Sequence, residues 1–259
     1  ATQINTGLNY LGLVEQSFIN KIWIIALITL LGLISVMLGL KTGIKKLSEI
    51  NIVLSFFLLL IVFILGPTVF ILNGVIQNIG SYFQNLISLS TWNETYLDTS
   101  WQNDWTLFYY TWWFAWSPFV GLFIARISYG RTIKEFVIGV VLVPSLLVFL
   151  WMGVFGNAAI YLEHIGGISL SSVVNQDIST SLFIFLEQFP LAKILISASL
   201  IIIITFFVTS SDSGALVTSM LTAKKSANQN EDPPILARLI WASSLGIVSI
   251  VLLAGGGLG

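Results

Sequence analysis

Four aromatic side chains at helical spacing are the first residues in this sequence that suggest binding chemistry. They lie at positions i, i+3, i+4 and i+7 of one apolar stretch and are Tyr109, Trp112, Trp113 and Trp116. A helix presents residues at this spacing on one face. Indole and phenol faces attract a cation without a counter-charge, and a quaternary ammonium suits them best because it donates no hydrogen bonds. The stripe therefore predicts a binding site for a choline-like ligand.

Depth in a membrane distinguishes this interpretation from a simpler one. Tryptophan and tyrosine collect at bilayer interfaces, and that explanation suits Trp101, Trp105, Tyr109 and Tyr110. Trp116 lies eleven residues beyond Trp105, which is about 16 Å along a helix and near the middle of a core about 30 Å thick. An interfacial residue does not belong at that depth. Packing between helices is the other interpretation of the stripe.

A proline follows the stripe within the same apolar run. Pro118 removes a backbone donor and clashes with the preceding turn, and Gly121 loosens the next turn. Freed backbone groups at membrane depth are tolerated where they are buried in protein or line a wet cavity. Interrupted helices at the midplane are typical of the binding sites of secondary transporters. We therefore expect an interruption here, with a simple proline kink as the alternative.

A second polar cluster lies in another apolar run. Its consecutive residues are Thr209, Ser210, Ser211, Asp212 and Ser213. Hydroxyl and carbonyl oxygens are hard donors that suit a small cation such as Na⁺. A carboxylate inside a membrane span is costly and normally faces a cavity or a partner, so Asp212 is a functional candidate. In the alternative, Asp212 lies near the cytoplasmic end and reaches water.

Composition sets the class of protein. Of 259 residues, 56% are hydrophobic and 9% are charged, against about 25% charged residues in soluble domains, which predicts an integral membrane protein. With no cysteine and a single histidine, His164 in a loop, the chain lacks the nucleophile, base and metal sets of a membrane enzyme. We expect no enzyme activity, no signal peptide and chain ends that belong to a longer protein.

Six apolar runs are long enough to cross a bilayer. We predict spans at about 22–40, 52–73, 105–127, 136–157, 191–221 and 235–254. The segment 74–88 between the second and third spans has apolar residues at helical spacing opposite polar ones. That pattern predicts an amphipathic helix in the membrane interface.

The charges alternate between the loops. The loops 41–50, 126–135 and 222–238 hold nine of the eleven basic residues. These residues are Lys41, Lys45, Lys46, Arg126, Arg131, Lys134, Lys224, Lys225 and Arg238. The loops 74–104 and 158–190 carry acidic residues and no Lys or Arg. The positive-inside rule therefore predicts that the three basic loops are cytoplasmic.

Two stretches are recognisable as family motifs. Residues 109–136 read YYTWWFAWSPFVGLFIARISYGRTIKEF, and residues 206–215 read FFVTSSDSGA. Both closely resemble signatures of the betaine/choline/carnitine transporter family, and the similarity covers the whole chain. The resemblance implies an all-α fold of twelve helices with LeuT-type inverted repeats. This chain would be roughly the second half, with about six transmembrane helices and one interfacial helix at a homotrimer contact.

The resemblance also implies roles for individual residues. Trp113 would stack on a trimethylammonium group with Trp112 beside it, and Trp116 would line the cytoplasmic side of the pathway; Tyr109 completes the stripe. The Phe206 carbonyl and the Thr209 and Ser210 hydroxyls would form half of a sodium site, and Phe119 would lie near a second one. Arg126 and Arg131 would gate or regulate from a cytoplasmic loop, and Asp212 is grouped with them. The remaining ligands would lie in helices outside this sequence.

The sequence therefore predicts a sodium-coupled symporter that imports glycine betaine or a related trimethylammonium compatible solute. We expect a multi-pass protein of a bacterial plasma membrane, with Na⁺ as coupling ion, no other cofactor and no nucleic-acid partner. Two alternatives stay open. One is a Na⁺-independent carnitine or choline exchanger of the same family, and the other is a sensor that binds a quaternary ammonium without transporting it.

Overall fold

A computed structural model describes residues 1–38, 45–97, 99–222 and 233–256. Within these residues the chain forms eleven α-helices, two π-helical segments and one 3₁₀ turn, and no strand. These helical elements confirm the predicted all-α class. The chain divides into a first unit, Ala1–Thr68 with Ala158–Gly259, and a second unit, Val69–Asn157.

The helices follow one another with short connections. In chain order they are α1 (Thr2–Tyr10), α2 (Phe18–Leu38), α3 (Lys45–Leu65), α4 (Thr68–Thr91), a π-helical segment (Gln102–Leu107), α5 (Phe108–Ile127), α6 (Ile133–Val137), a second π-helical segment (Ile138–Leu142), α7 (Val143–His164), α8 (Leu170–Gln176), a 3₁₀ turn (Ile178–Thr180), α9 (Ser181–Glu187), α10 (Ala192–Thr222) and α11 (Ile235–Ala254). Lys41, Lys224, Lys225 and Asp98 lie outside the described residues.

Five helical stretches are long and apolar enough to cross a membrane. They are Phe18–Met37, Lys45–Leu65, Ile133–His164, Ala192–Thr222 and Ile235–Ala254. Helix α5 matches the predicted span 105–127 and has 20 residues, but its tryptophans, tyrosines and proline lower its hydropathy below that of the five. The chain is therefore a multi-pass membrane protein, while the sixth span and the sidedness of the loops stay predictions.

The boundary between α3 and α4 differs from the predicted one. The sequence suggests a second span to residue 73 and a separate helix from 74. In the structure α3 ends at Leu65, and α4 runs without a break from Thr68 to Thr91. Gly66 and Pro67 separate the two helices because proline cannot continue the hydrogen-bonding pattern of α3. The hydroxyl of Thr68 donates to the carbonyl of Phe63 at 2.8 Å and satisfies one of the free acceptors at the end of α3.

The core of the first unit forms around α10, which packs against α2, α3 and α11. Small residues allow the helices to approach closely, as is usual in membranes. A Cβ atom at Gly246 of α11 would lie 2.4 Å from the hydroxyl oxygen of Thr29 on α2, so this contact requires glycine. Val36, Ala215 and Ala242, from α2, α10 and α11, form a buried core that is at most 2% exposed.

The second unit has its own close helix contact, between α4 and α7. A Cβ atom at Gly153 would lie 2.7 Å from a methyl group of Val75. Asn157 donates to the carbonyl of Gly153 at 2.6 Å, and Asn78 of α4 donates to the Asn157 side chain at 3.3 Å. Beyond these contacts the face of α4 that carries Phe83 and Ile87 is exposed. That exposed apolar face is compatible with the predicted interfacial helix, which stays a prediction.

Candidate functional site

The aromatic rings along α5 and the π-helical segment before it make contacts in two rows. In the first row, Tyr109 stacks on Trp105 with ring centroids 6.1 Å apart and planes 12° from parallel. Tyr109 also stacks on Trp112 at 6.0 Å and 19°. Near-parallel neighbours of this kind fill the space against each ring face and stiffen the row.

The second row contains Trp113, Trp116 and Phe119. The rings of Trp113 and Trp116 have centroids 6.0 Å apart and planes inclined by 58°, and Phe119 stacks on Trp116 at 6.2 Å and 6°. We call the Trp113 and Trp116 pair the indole wedge. Its residues are 62% and 42% exposed. Both rings thus retain exposed surface, and an exposed indole face binds a cation within about 6 Å of the ring centroid.

Pro118 does not interrupt α5. The helix continues from Phe108 to Ile127 with Pro118 inside it, so the expected interruption is wrong. Proline leaves the carbonyl four residues earlier, that of Phe114, without its backbone donor. The hydroxyl of Ser117 donates to that carbonyl at 2.9 Å, and this bond replaces the missing one.

The hydroxyl cluster lies on α10, in the first unit. The Thr209 hydroxyl donates to the carbonyl of Phe206 at 2.8 Å, which places two of the predicted oxygen ligands side by side. Ser213 donates to the carbonyl of Thr209 at 2.9 Å. Phe206 and Ser210 are exposed and Thr209 is half-buried. The oxygen atoms of this turn are thus grouped on an open face of the helix, where a partner is able to complete a coordination shell.

Asp212 lies one turn further on and is fully buried. Its Oδ2 accepts a hydrogen bond from the hydroxyl of Ser35 on α2 at 2.6 Å. Its Oδ1 lies 3.6 Å from Nη2 of Arg238, which is in the first turn of α11. The alternative in which this carboxylate reaches water is therefore wrong: Asp212 has a cationic partner inside the protein.

The complete chain, residues 1–259, matches the model of the betaine/carnitine/choline transporter family. The chain belongs to this family. The family consists of transporters, which confirms the expectation that the protein is not an enzyme.

Three relatives show the range of solutes associated with similar sequences. The glycine betaine transporter of Acinetobacter baylyi is 43% identical over 99% of this chain and 38% of its own length. The glycine betaine transporter OpuD of Bacillus subtilis is 42% identical over 100% of this chain and 49% of its own length. The ectoine/hydroxyectoine transporter of Virgibacillus pantothenticus is 38% identical over 99% of this chain and 50% of its own length. The chain therefore spans half or less of the length of these transporters.

The two arginines expected to have a gating role lie in the last turn of α5 and in the connection that follows it. Arg126 is in the last turn of the helix, where a cation interacts favourably with the helix dipole. Arg131 lies in the connection to α6, beside Thr132, whose side chain caps that helix in a box with Glu135. Arg131 and Glu135 line a cavity of about 350 Å³ together with the end of α5. The loop is ordered by a helix cap and presents its charge at a cavity.

Sequence reasoning missed the partners of Asp212. It counts Arg238 as a charge of the basic loop 222–238, whereas the structure places this residue in α11 and leaves it 4% exposed. Ser35 has no special feature in the sequence. One usable signal was present: Arg238 also falls within the predicted span 235–254, and a cation and an anion in two membrane spans are expected to pair.

Proposed function

We propose that the full-length transporter imports glycine betaine or a related trimethylammonium solute, driven by entry of Na⁺ through the same protein. The observation that carries this proposal is the indole wedge, two tryptophan faces inclined by 58° on one apolar helix. A quaternary ammonium has no proton to donate, so ring faces are able to replace its hydration. The names of the Acinetobacter and Bacillus relatives support the same class of solute.

The wedge supplies one wall of the proposed site. Trp113 would stack on the trimethylammonium group, and Trp112 would limit the site beside it. Trp116 would contact the solute as it leaves toward the cytoplasm, and Tyr109 would hold Trp112 in its stacked position. The opposite wall would come from the part of the transporter outside this sequence, since its relatives are at least about twice as long.

Sodium would bind at the open face of α10. Thr209 Oγ1 and the Phe206 carbonyl lie 2.8 Å apart, close enough for one ion to contact both oxygens. The Ser210 hydroxyl is on the adjacent residue of the same turn. Hydroxyl and carbonyl oxygens are hard ligands of the type that alkali and alkaline-earth cations prefer. Phe119 would lie near a second sodium ion, and Arg126 and Arg131 would control the cytoplasmic exit.

Uptake by proteoliposomes tests the proposal. Labelled glycine betaine is offered to the full-length transporter under an inward Na⁺ gradient and then under a matched K⁺ gradient. We expect uptake only with Na⁺. Trp113→Leu should raise the KM for betaine about 3- to 30-fold, which corresponds to the loss of one cation–π contact, and Trp113→Phe should retain part of the affinity. Trp23→Leu is the matched control, because Trp23 is 68% exposed and lies on α2.

Each result that contradicts the proposal has a separate meaning. Uptake that is equal in Na⁺ and K⁺ but is impaired by Trp113→Leu would keep the ring site and replace the symporter by an exchanger. Binding of betaine without uptake would favour a sensor. Uptake of ectoine in preference to betaine would exclude the trimethylammonium solute, and equal KM values for Trp113→Leu and Trp23→Leu would exclude the indole wedge.

A homotrimer in a bacterial plasma membrane completes the proposal. The support is the long exposed face of α4, on which Ile76, Phe83 and Ile87 are each more than 60% exposed. We expect a mass of three protomers for the full-length transporter in native mass spectrometry. A monomer that persists in lipid nanodiscs would contradict this assembly.

A further inference from the structure

Three polar side chains from three helices converge at one buried point of the first unit. Ser35 of α2, Asp212 of α10 and Arg238 of α11 are 5%, 0% and 4% exposed. Asp212 is the centre of this set, because Ser35 contacts one carboxylate oxygen and Arg238 faces the other. We call these three residues the carboxylate junction.

Stability alone does not explain such a junction. Apolar residues of similar size often replace a buried ion pair without loss of stability, whereas charged groups at membrane depth are costly. Arg238 is also placed unfavourably for its own helix, since it lies in the first turn of α11, where the helix dipole repels a cation. Within the described residues the negative charge of Asp212 compensates for that position, which points to a functional role of the pair.

The ion pair is a direct but loose contact. The distance of 3.6 Å between Nη2 of Arg238 and Oδ1 of Asp212 is longer than a hydrogen bond. By contrast, the bond from Ser35 to Oδ2 is short, at 2.6 Å. The carboxylate is thus held firmly to α2 and less firmly to α11. A small displacement between α10 and α11 would tighten or open the ionic contact.

The junction acts on the turn that carries the candidate sodium ligands. Asp212 follows Thr209 by three residues, so the two lie on successive turns of one helix. Asp212 is on the buried face of α10, while Phe206 and Ser210 are on the open face. The contacts that hold the Asp212 carboxylate also fix the rotation of this turn about the axis of α10. They thereby fix the direction in which the oxygen ligands point.

The packing around the junction is suited to such a role. Each of its residues has a buried apolar neighbour on the same helix: Val36 follows Ser35, Ala215 is three residues after Asp212, and Ala242 is four residues after Arg238. These neighbours form the tight core of α2, α10 and α11. Dense cores transmit displacement instead of absorbing it.

We propose that the carboxylate junction positions the Thr209–Ser210 turn and thereby sets the affinity of the transporter for sodium. Asp212 and Arg238 are positioning residues in this inference, and they do not touch the ion or the solute. The inference rests on the proposed sodium coupling. It extends that proposal to Asp212 on the buried face of α10 and to its partner Arg238 on α11.

The test measures the sodium dependence of betaine uptake by the full-length transporter in proteoliposomes. The first variant is Ser35→Ala, which removes one hydrogen bond and retains the ion pair. The second is the double variant Asp212→Asn/Arg238→Gln, which removes both charges together. The control is Ser249→Ala, because in the described residues the Ser249 hydroxyl donates within its own helix, to the carbonyl of Leu245 at 2.8 Å. Melting temperatures of all variants are recorded in parallel.

We expect the sodium concentration for half-maximal uptake to rise about threefold in Ser35→Ala and about tenfold or more in the double variant, while the KM for betaine at saturating Na⁺ stays within twofold. Ser249→Ala should match the wild type. A lower maximal rate or melting temperature with unchanged sodium dependence would overturn the inference and leave the symporter proposal intact. Wild-type uptake that ignores Na⁺ would overturn both.

Discussion

α10 and α5 carry the two sets of candidate site residues, and their environments within the chain are opposite. α10 has buried residues along its length, from Leu195 to Ser219, and makes polar contacts to α2, α3 and α11. α5 has no buried residue. The ring contacts of its Trp112, Trp113 and Trp116 are made with other residues of α5.

This difference shows how the two helices are prepared for function. On α10 the open oxygen face belongs to a helix that is already fixed on its other sides, so the direction of the ligands is determined within this chain. On α5 the aromatic rings position one another. Within the described residues, however, neighbouring helices do not hold α5 in place. In the proposed sodium site the first arrangement would favour a defined ion geometry, whereas the second leaves a broad apolar surface exposed within the described residues.

The largest expected effect is on protein stability, when a buried ion pair is broken and the loss is compared with that of an exposed pair. Arg238→Ala leaves the Asp212 carboxylate buried without its cation and should lower the free energy of unfolding by about 3–5 kcal/mol. Lys45→Ala removes an ion pair with Glu49 whose side chains are 70% and 62% exposed, and the loss should be at most about 1 kcal/mol. Unfolding by SDS in mixed micelles measures both. Equal losses would mean that burial does not distinguish the two pairs.

Two glycine substitutions compare the packing of α11 against α2 with the packing around α5. Gly246→Ala places a methyl group 2.4 Å from the Thr29 hydroxyl oxygen and should reduce stability by about 1–3 kcal/mol, although alanine normally favours a helix. Gly121→Ala on α5 meets no atom within 4 Å and should be neutral or stabilising by up to about 1 kcal/mol. Thermal unfolding of the purified full-length variants provides the comparison.

Two results would revise this interpretation of the glycines. Thr29→Ala removes the two nearest atoms but leaves its own Cβ 3.0 Å from the new methyl group. If it relieves no part of the loss in the Gly246→Ala variant, the Thr29 hydroxyl and methyl groups are not the cause of the instability. If Gly121→Ala is as damaging as Gly246→Ala, α5 is tightly packed against the remainder of the full-length transporter. The difference in packing between α5 and α10 would then apply to the present chain and not to the full-length transporter.

Sequence alone predicted local features well and distant contacts poorly. Apolar runs located the membrane helices, because span length and hydropathy are local properties. The predicted span 52–73 continues through the break at Gly66–Pro67, since a proline at a helix end and one inside a helix look alike until the next helix is placed. The Asp212 partners were missed because Ser35 lies 177 residues away in the chain, and no periodicity within one helix encodes that approach.

A smaller effect tests how α5 tolerates its proline. Ser117→Ala removes the donor to the Phe114 carbonyl and should destabilise the protein by about 1 kcal/mol. Ser244→Ala is the matched control, because the Ile240 carbonyl that accepts from Ser244 at 2.8 Å also has a backbone donor. Adding Pro118→Ala to Ser117→Ala restores the backbone N–H and should remove the loss. Persistence of the loss in the double variant would show that the hydroxyl has another role.

The smallest effect concerns the contact between α10 and α3. The Thr205 hydroxyl donates to the side-chain oxygen of Asn51, which is 2% exposed. Because the Ile201 carbonyl of the same helix lies 2.7 Å from the Thr205 hydroxyl, the single hydroxyl proton is shared between the two acceptors and the cross-helix bond is weakened. A double-mutant cycle with Thr205→Val and Asn51→Leu should give a coupling of about 0.6 kcal/mol, the usual value for hydrogen bonds between membrane helices. A coupling as large as the Arg238→Ala loss would mean that α10 is held by its hydroxyls as strongly as by its charge, and the carboxylate junction would lose its special place in positioning the helix.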